Sequence, residues 1–135
     1  MNKLSPGQPD KYKGVKVETM NPKSIDENEF YGYMDDSQPP QWLWGVFSIL
    51  LKTMIGEDQK WARWLLMDGP VDTLWIESMN SLLDDSKVLT LNNGDRLPLS
   101  NNCKLLFEAN DLDVASPATI SRVGIIFMDV DELGW

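Results

Sequence analysis

Two short, uninterrupted apolar runs constrain this chain more than any other feature. Trp64-Leu65-Leu66-Met67 leads straight into Asp68-Gly69-Pro70, and Leu105-Leu106-Phe107 stands between Lys104 and Glu108. A half-exposed strand alternates apolar and polar residues, whereas a strand covered on both faces has no need to. The runs therefore predict buried strands of a parallel sheet, joined by a crossover, and an α/β fold. The crossover is legible too. Asp72 sits at a helix N-cap with Val71 and Trp75 bracketing it as an apolar staple. The helix is expected to reach about Leu83, burying Trp75, Met79, Leu82 and Leu83, before Asp84-Asp85-Ser86 ends it.

The remaining segments fit around this unit. Residues 1–14, with Pro6, Gly7 and Pro9, read as a flexible lead-in, and residues 15–135 as a single domain. Val15, Val17 and Thr19 alternate with polar residues and predict a strand ending near Met20, where Asn21-Pro22 makes a turn. Residues 24–33 predict one or two helical turns capped by Ser24, with Glu27 three residues on. Residues 42–55 read as one helix, with Trp42, Val46, Ile49, Leu50 and Thr53 on one side and Trp44, Phe47, Leu51 and Met54 on the next. So wide an apolar arc implies burial between layers or beneath a partner. Gly56-Glu57-Asp58 closes it.

Residues 88–99 predict a hairpin, with Asn93-Gly94 supplying a type I′ turn. That register pairs Leu89 with Pro98 and Leu91 with Arg96, placing the leucines of the two arms on opposite faces. Either the hairpin is two-sided or a bulge shifts it. Ser116 caps a helical turn with Pro117 at its first position, and residues 123–128 are expected to be the last strand.

Composition narrows the chemistry. The 135 residues carry 21 Asp and Glu against 12 Lys and Arg, a net charge of −9. That balance argues against general nucleic-acid binding and against anionic membranes. The longest apolar stretch, residues 42–55, is too short to span a bilayer, and the first ten residues do not form a signal peptide, so an intracellular location is expected. Cys103 is the single cysteine and there is no histidine, so disulfides within the chain, His-based triads and His or multi-Cys metal sites are excluded.

Carboxylates and arginine remain. Asp68 ends a buried-type strand, the place where α/β sheets open onto a ligand crevice, and a carboxylate there can hold Mg²⁺ directly or through water. The bland alternative is a turn-forming Asp beside Gly-Pro. Arg122, one of three arginines, follows Ser-Pro-Ala-Thr-Ile-Ser. It is either a surface salt-bridging residue or a finger that forks onto phosphate. Asp35-Asp36, Asp84-Asp85 and the cluster of Asp129, Asp131 and Glu132 read as solvated faces. Cys103 reads as inert core. No G-x-x-x-x-G-K-[ST] occurs, so these residues encode no phosphate-cradling loop of that kind.

Several motifs together resemble one family. Met20-Asn21-Pro22-Lys23-Ser24, Phe30-Tyr31-Gly32, WLLMDGPVDTLWIESMNSLLDD (residues 64–85), LTLNNGDRLPL (89–99), NCKLLFE (102–108) and ASPATISR (115–122) are similar, in this order, to dynein heavy chains. The stretch most resembles the second AAA+ module of the motor ring, and NGDRLPLSNNCKLLFE resembles outer-arm axonemal chains of the gamma type. The resemblance covers about residues 15–135.

It implies a partial AAA+ large subdomain of parallel strands, helices and a β-hairpin insert, lacking the P-loop strand. Asp68 would be the Walker B aspartate and hold Mg²⁺ through water. Gly69 would stand where most AAA+ ATPases have the hydrolytic glutamate, which implies ATP or ADP binding with a regulatory role and little or no hydrolysis. Asp111, or Asn110 beside it, would be the sensor 1 residue. Arg122 would be the arginine finger acting in trans on the preceding module's ATP. The P-loop strand would lie between the 104–108 strand and the last one. Trp42, Trp44 and Trp61 would be surfaces that the ring covers.

Implied partners are the neighbouring AAA+ modules, microtubules, and dynein light and intermediate chains, in the cytoskeleton of a ciliary or flagellar axoneme. The isolated chain is expected to hold no cofactor and to be inactive alone. The rival from another class is a non-catalytic acidic α/β interaction module that has lost nucleotide binding. A metal-dependent phosphotransferase or nuclease using Asp68, Asp72 and Asp111 is a third.

Overall fold

The apolar runs do form neighbouring parallel strands. The computed structural model describes residues 14–56, 61–129 and 131. The lead-in before Gly14, Glu57 and Asp58 of the helix stop, and Glu132 of the acidic cluster lie outside the described residues.

Strand β1 (Val15–Met20), β4 (Ala62–Asp68) and β7 (Cys103–Glu108) make a three-stranded sheet in the order β1-β4-β7. Both pairings are parallel, with Met20 opposite Met67, Leu65 opposite Leu105 and Asp68 opposite Glu108. One face is covered, burying Met20, Leu65, Met67 and Cys103. The other is not. Val17 pairs with Trp64 and Leu66 with Leu106, and Val17, Trp64 and Leu106 remain 49%, 37% and 38% exposed. The apolar runs thus encode cover for two faces where the described residues provide it for one.

Between β1 and β4, the sequence breaks where helix geometry fails. Asn21, not Ser24, caps the first turn, a 3₁₀ turn at Pro22–Ser24, by accepting from Lys23 N–H. Helix α1 (Glu27–Tyr31) starts at Asp26, whose carboxylate accepts from Glu29 N–H at 2.8 Å. The long helix expected over residues 42–55 is instead a strand and a shorter helix. Strand β3 (Trp42–Trp44) pairs antiparallel with β2 (Gly32–Met34), and α2 (Val46–Gly56) follows. Gly45 is the break: a Cβ there would lie 2.3 Å from the Phe30 carbonyl oxygen, so only glycine lets the chain cross α1 so closely. Helix α2 buries Phe47, Ser48, Leu51 and Met54, while Val46 and Ile49 are exposed, so only one of its two apolar sides is covered. Trp42 and Trp44 pack against the core rather than standing free, whereas Trp61 is exposed.

The crossover to β7 follows the expected pattern with one interruption. Asp72 caps α3 (Thr73–Ser78), accepting from Leu74 N–H at 2.8 Å. Val71 and Trp75 are buried, as is Ile76 at the fourth helical position. The helix is broken at Met79 and resumes as α4 (Asn80–Leu83). In the hairpin of β5 (Val88–Thr90) and β6 (Arg96–Pro98), Leu89 pairs with Leu97 and Thr90 with Arg96. This register is one residue away from the two-residue turn. A five-residue loop replaces it, with Leu91 N–H donating to Asp95 O and only Gly94 at positive φ. The shift puts Leu89 and Leu97 on one buried face, which a two-residue turn would have prevented. Helix α5 (Pro117–Ile120) starts as expected, Ser116 Oγ accepting from Thr119 N–H.

Residues 123–128 are not a strand. Ile126 and Phe127 are each 84% exposed and no ladder includes them. A strand needs a neighbour to satisfy its N–H and C=O groups. A groove of about 370 Å³, lined by Leu105 and Phe107 of β7 and by Val123 and Ile126, lies between this segment and the sheet edge. Among the described residues, no strand pairs with the segment across that groove.

Candidate functional site

The carboxyl ends of the three strands converge on one edge of the molecule, and Asp68 sits there because strand lengths match. Asp68 is the last residue of the middle strand, exposed, and in register with Glu108. Gly69 N–H donates to the Glu108 carbonyl at 3.1 Å, extending the ladder one residue past the carboxylate. Gly69 also lies against the end of β1: a Cβ on it would meet Asn21 Oδ1 at 2.7 Å. Asn110 and Asp111 follow β7 on the same side and are exposed. Asp111 Oδ1 accepts from Asp113 N–H at 3.3 Å, which shapes the loop leading to α5.

Arg122 stands elsewhere in this arrangement, at the end of α5. Its Nε donates to Asp84 Oδ1 and its Nη1 donates to the Ala118 carbonyl at 2.7 Å. Among the described residues, no hydrogen bond or ion pair joins Asp68, Asn110, Asp111 and Arg122 to one another.

A magnesium ion makes modest demands here. It keeps several waters and takes one or two carboxylates plus phosphate oxygens. Asp68, exposed at the sheet edge, fits that role. Among the described residues no group of three acidic, Cys or His side chains forms an all-protein cage. No helix of the described residues is long and apolar enough to cross a membrane.

Sequence reasoning passed over three residues that the geometry brings forward. Asn21 packs on Gly69 and caps the following turn. Asp84, read as part of a solvated acidic face, is the partner of Arg122. Asn80, one helical turn before Asp84, accepts from Thr119 Oγ1 at 2.9 Å. No local signal marked the last two: Asp84 is the residue that caps the end of α4, and Arg122 lies in the turn after α5.

No family model matches the sequence. Individual proteins do. The chain is 44% identical over 126 residues, 93% of its length, to the dynein-1-beta heavy chain of the flagellar inner arm I1 complex of Chlamydomonas reinhardtii. It is 46% identical over 121 residues, 90% of its length, to human dynein axonemal heavy chain 2. It is 46% identical over 116 residues, 86% of its length, to dynein axonemal heavy chain 5 of Rattus norvegicus. Its relatives are axonemal dynein heavy chains. The chain spans about 3% of the length of each of these relatives. The mixed α/β fold, with its parallel sheet and antiparallel hairpins, is consistent with a partial AAA+ large subdomain, as the dynein resemblance implied.

Proposed function

We propose that this chain is a segment of an axonemal dynein heavy chain, the α/β part of the second AAA+ module of its motor ring. Residues 15–135 form its single domain. The observation that carries the reading is identity of 44–46% over nearly the whole chain to proteins of that name. The uncovered sheet face at Val17, Trp64 and Leu106 and the unpaired edge of β7 support it, since both suit a sheet completed by other parts of a larger module.

In this reading the segment serves a regulatory nucleotide site rather than a hydrolytic one. Asp68 holds hydrated Mg²⁺ beside ATP or ADP, the ion offsetting phosphate charge. Asn110 or Asp111 reaches the same site from the end of β7. Gly69 carries no side chain to activate water. The phosphates are cradled by parts of the heavy chain outside these 135 residues, which contain no G-x-x-x-x-G-K-[ST]. Arg122 supplies permanent positive charge to ATP on the preceding module, against the charge that develops in the transition state.

The partners are the neighbouring AAA+ modules and, through the whole heavy chain, microtubules and light and intermediate chains. The site of action is the ciliary or flagellar axoneme. The outer-arm gamma-like subclass rests on NGDRLPLSNNCKLLFE alone, because inner-arm and other axonemal chains match at nearly equal identity.

The test is Arg122→Ala and Arg122→Lys in a full heavy chain carrying this sequence. Each is expected to slow ATP turnover by on the order of 10³-fold while leaving nucleotide occupancy of this module near normal. Lysine fails because a point charge does not reproduce the planar fork. Turnover at the wild-type rate in Arg122→Ala returns Arg122 to an ordinary salt-bridging residue.

A further inference from the structure

The arginine proposed above as a finger is held at defined points. Helix α4 presents Asn80 and Asp84, one turn apart, to the turn that carries Arg122. Thr119 Oγ1 donates to Asn80 Oδ1 at 2.9 Å, and Arg122 Nε donates to Asp84 Oδ1. Asn80 opens α4 and Asp84 caps its end, while Thr119 lies in α5 and Arg122 in the turn just after it. The two contacts therefore form a two-point clamp between α4 and α5. A third bond, Nη1 to the Ala118 carbonyl at 2.7 Å, ties the guanidinium to its own turn. Asp84 is itself fixed. Its N–H donates to Asn80 O at 3.0 Å and its carbonyl accepts from Lys87 N–H at 2.9 Å.

The donor count decides what remains available. A guanidinium has five N–H groups in a planar fork. Nε and one hydrogen of Nη1 are engaged, so both hydrogens of Nη2 and the second of Nη1 are left. Nη2 is thus left wholly available, and one of its hydrogens belongs to the outer end of the fork, which can meet a phosphate oxygen. The side chain is 28% exposed, so this end is open to an anion brought from outside. Holding the inner edge removes the rotamer search that a free arginine faces at the moment of reaction.

We infer that Asp84 is the positioning residue of Arg122, orienting the guanidinium so that its outer edge faces the neighbouring module's phosphates. The inference rests on Arg122 acting in trans, as proposed above, and adds the group that makes it a preorganised finger. An exposed pair with no such role would be worth almost nothing and would leave turnover alone.

The experiment uses the full heavy chain with Asp84→Ala, Asp84→Asn, Arg122→Ala and the double variant Asp84→Ala/Arg122→Ala. Asp84→Ala is expected to lower kcat by about 10²-fold, the scale of a catalytic group misplaced by about 1 Å, with KM for ATP within about twofold of wild type. Asp84→Asn keeps an acceptor oxygen at the same reach and recovers most of the loss. The double variant is no slower than Arg122→Ala alone, because Asp84 acts only through Arg122. Asp84→Ser is too short to reach Nε, carries the same expectation as Asp84→Ala, and serves where the alanine variant does not assemble. A wild-type or raised kcat in Asp84→Ala, beside a slow Arg122→Ala, overturns the inference and leaves the finger standing. A wild-type rate in Arg122→Ala removes the finger and this inference with it.

Discussion

Replacing Tyr31 by Phe isolates one hydroxyl whose role follows from a fault in a helix. Between α3 and α4 the chain tightens, and Met79 N–H donates to Ile76 O and Glu77 O instead of continuing the α-helical ladder to Trp75 O. The Trp75 carbonyl is left without its helical donor in the core. Tyr31 OH, from α1, donates to it at 2.6 Å. The ring itself is packed edge-on against Phe30 and Phe47, at 4.7 Å and 5.8 Å, and phenylalanine preserves those contacts. What Tyr31→Phe removes is therefore a buried hydrogen bond, and it takes from the Trp75 carbonyl its side-chain donor. Such a loss costs about 1–3 kcal/mol.

Titration supplies an independent check. Burial pushes the Tyr31 phenol up, the Glu27 carboxylate adds to the rise, and a Ser78 hydrogen bond offsets part of it. An unfolded tyrosine ionises near pH ~10. Above that pH the unfolded chain loses a proton that the folded chain retains, so wild-type stability falls by up to about 1.4 kcal/mol per pH unit from this residue. Tyr31→Phe lacks this contribution. Urea unfolding should thus find the variant weaker by about 1–3 kcal/mol at pH 7, with the gap closing above pH 10. A variant as stable as wild type at pH 7, or a gap that stays constant through pH 11, refutes the reasoning.

Two further outcomes are expected. Gly69→Ala should cost about 1 kcal/mol, because the new methyl displaces the Asn21 side chain from its cap on Lys23 N–H. After Asn21→Ala the same substitution should cost almost nothing, and chemical denaturation of both backgrounds checks the coupling. Phe127→Ser should change unfolding free energy by less than ~0.5 kcal/mol, since Phe127 is 84% exposed. A loss of several times that size would mean that the segment is packed in solution.

The parts of the fold that depend on neighbours in sequence were legible. The Asp72 cap, the Ser116-Pro117 start of α5, and the parallel strands ending at Asp68 and Glu108 all appear where local chemistry puts them. What escaped depends on contacts distant in the chain. Gly45 reads as a tolerable residue in an apolar helix, and only the Phe30 carbonyl against it explains the break. The Asn93-Gly94 pair signals a two-residue turn, but burial of Leu89 opposite Leu97 outweighs that preference and shifts the register. The candidate site divides the same way. Asp68 was visible as the end of a strand, while the tie from Arg122 to Asp84 spans 38 positions and no local pattern encodes it.

The largest mismatch between pattern and structure carries the most functional weight. Trp64, Leu66 and Leu106 make the two central runs continuous, yet Trp64 and Leu106 face outward from a sheet covered on one side. Residues 124–128 read Gly-Ile-Ile-Phe-Met, a strand by composition, yet they find no ladder. A single cause accounts for both. A strand inserted along β7 would supply the ladder that residues 124–128 lack, and a layer packed over the open face would bury Val17, Trp64 and Leu106 together. A sheet with more members than the described residues contain would thus cover all of them, in keeping with the segment reading proposed above. The polar network at α4 and α5 is complete without such additions. Arg122 is accordingly already tied to Asp84 and to the Ala118 carbonyl, whereas the strand end at Asp68 stays exposed.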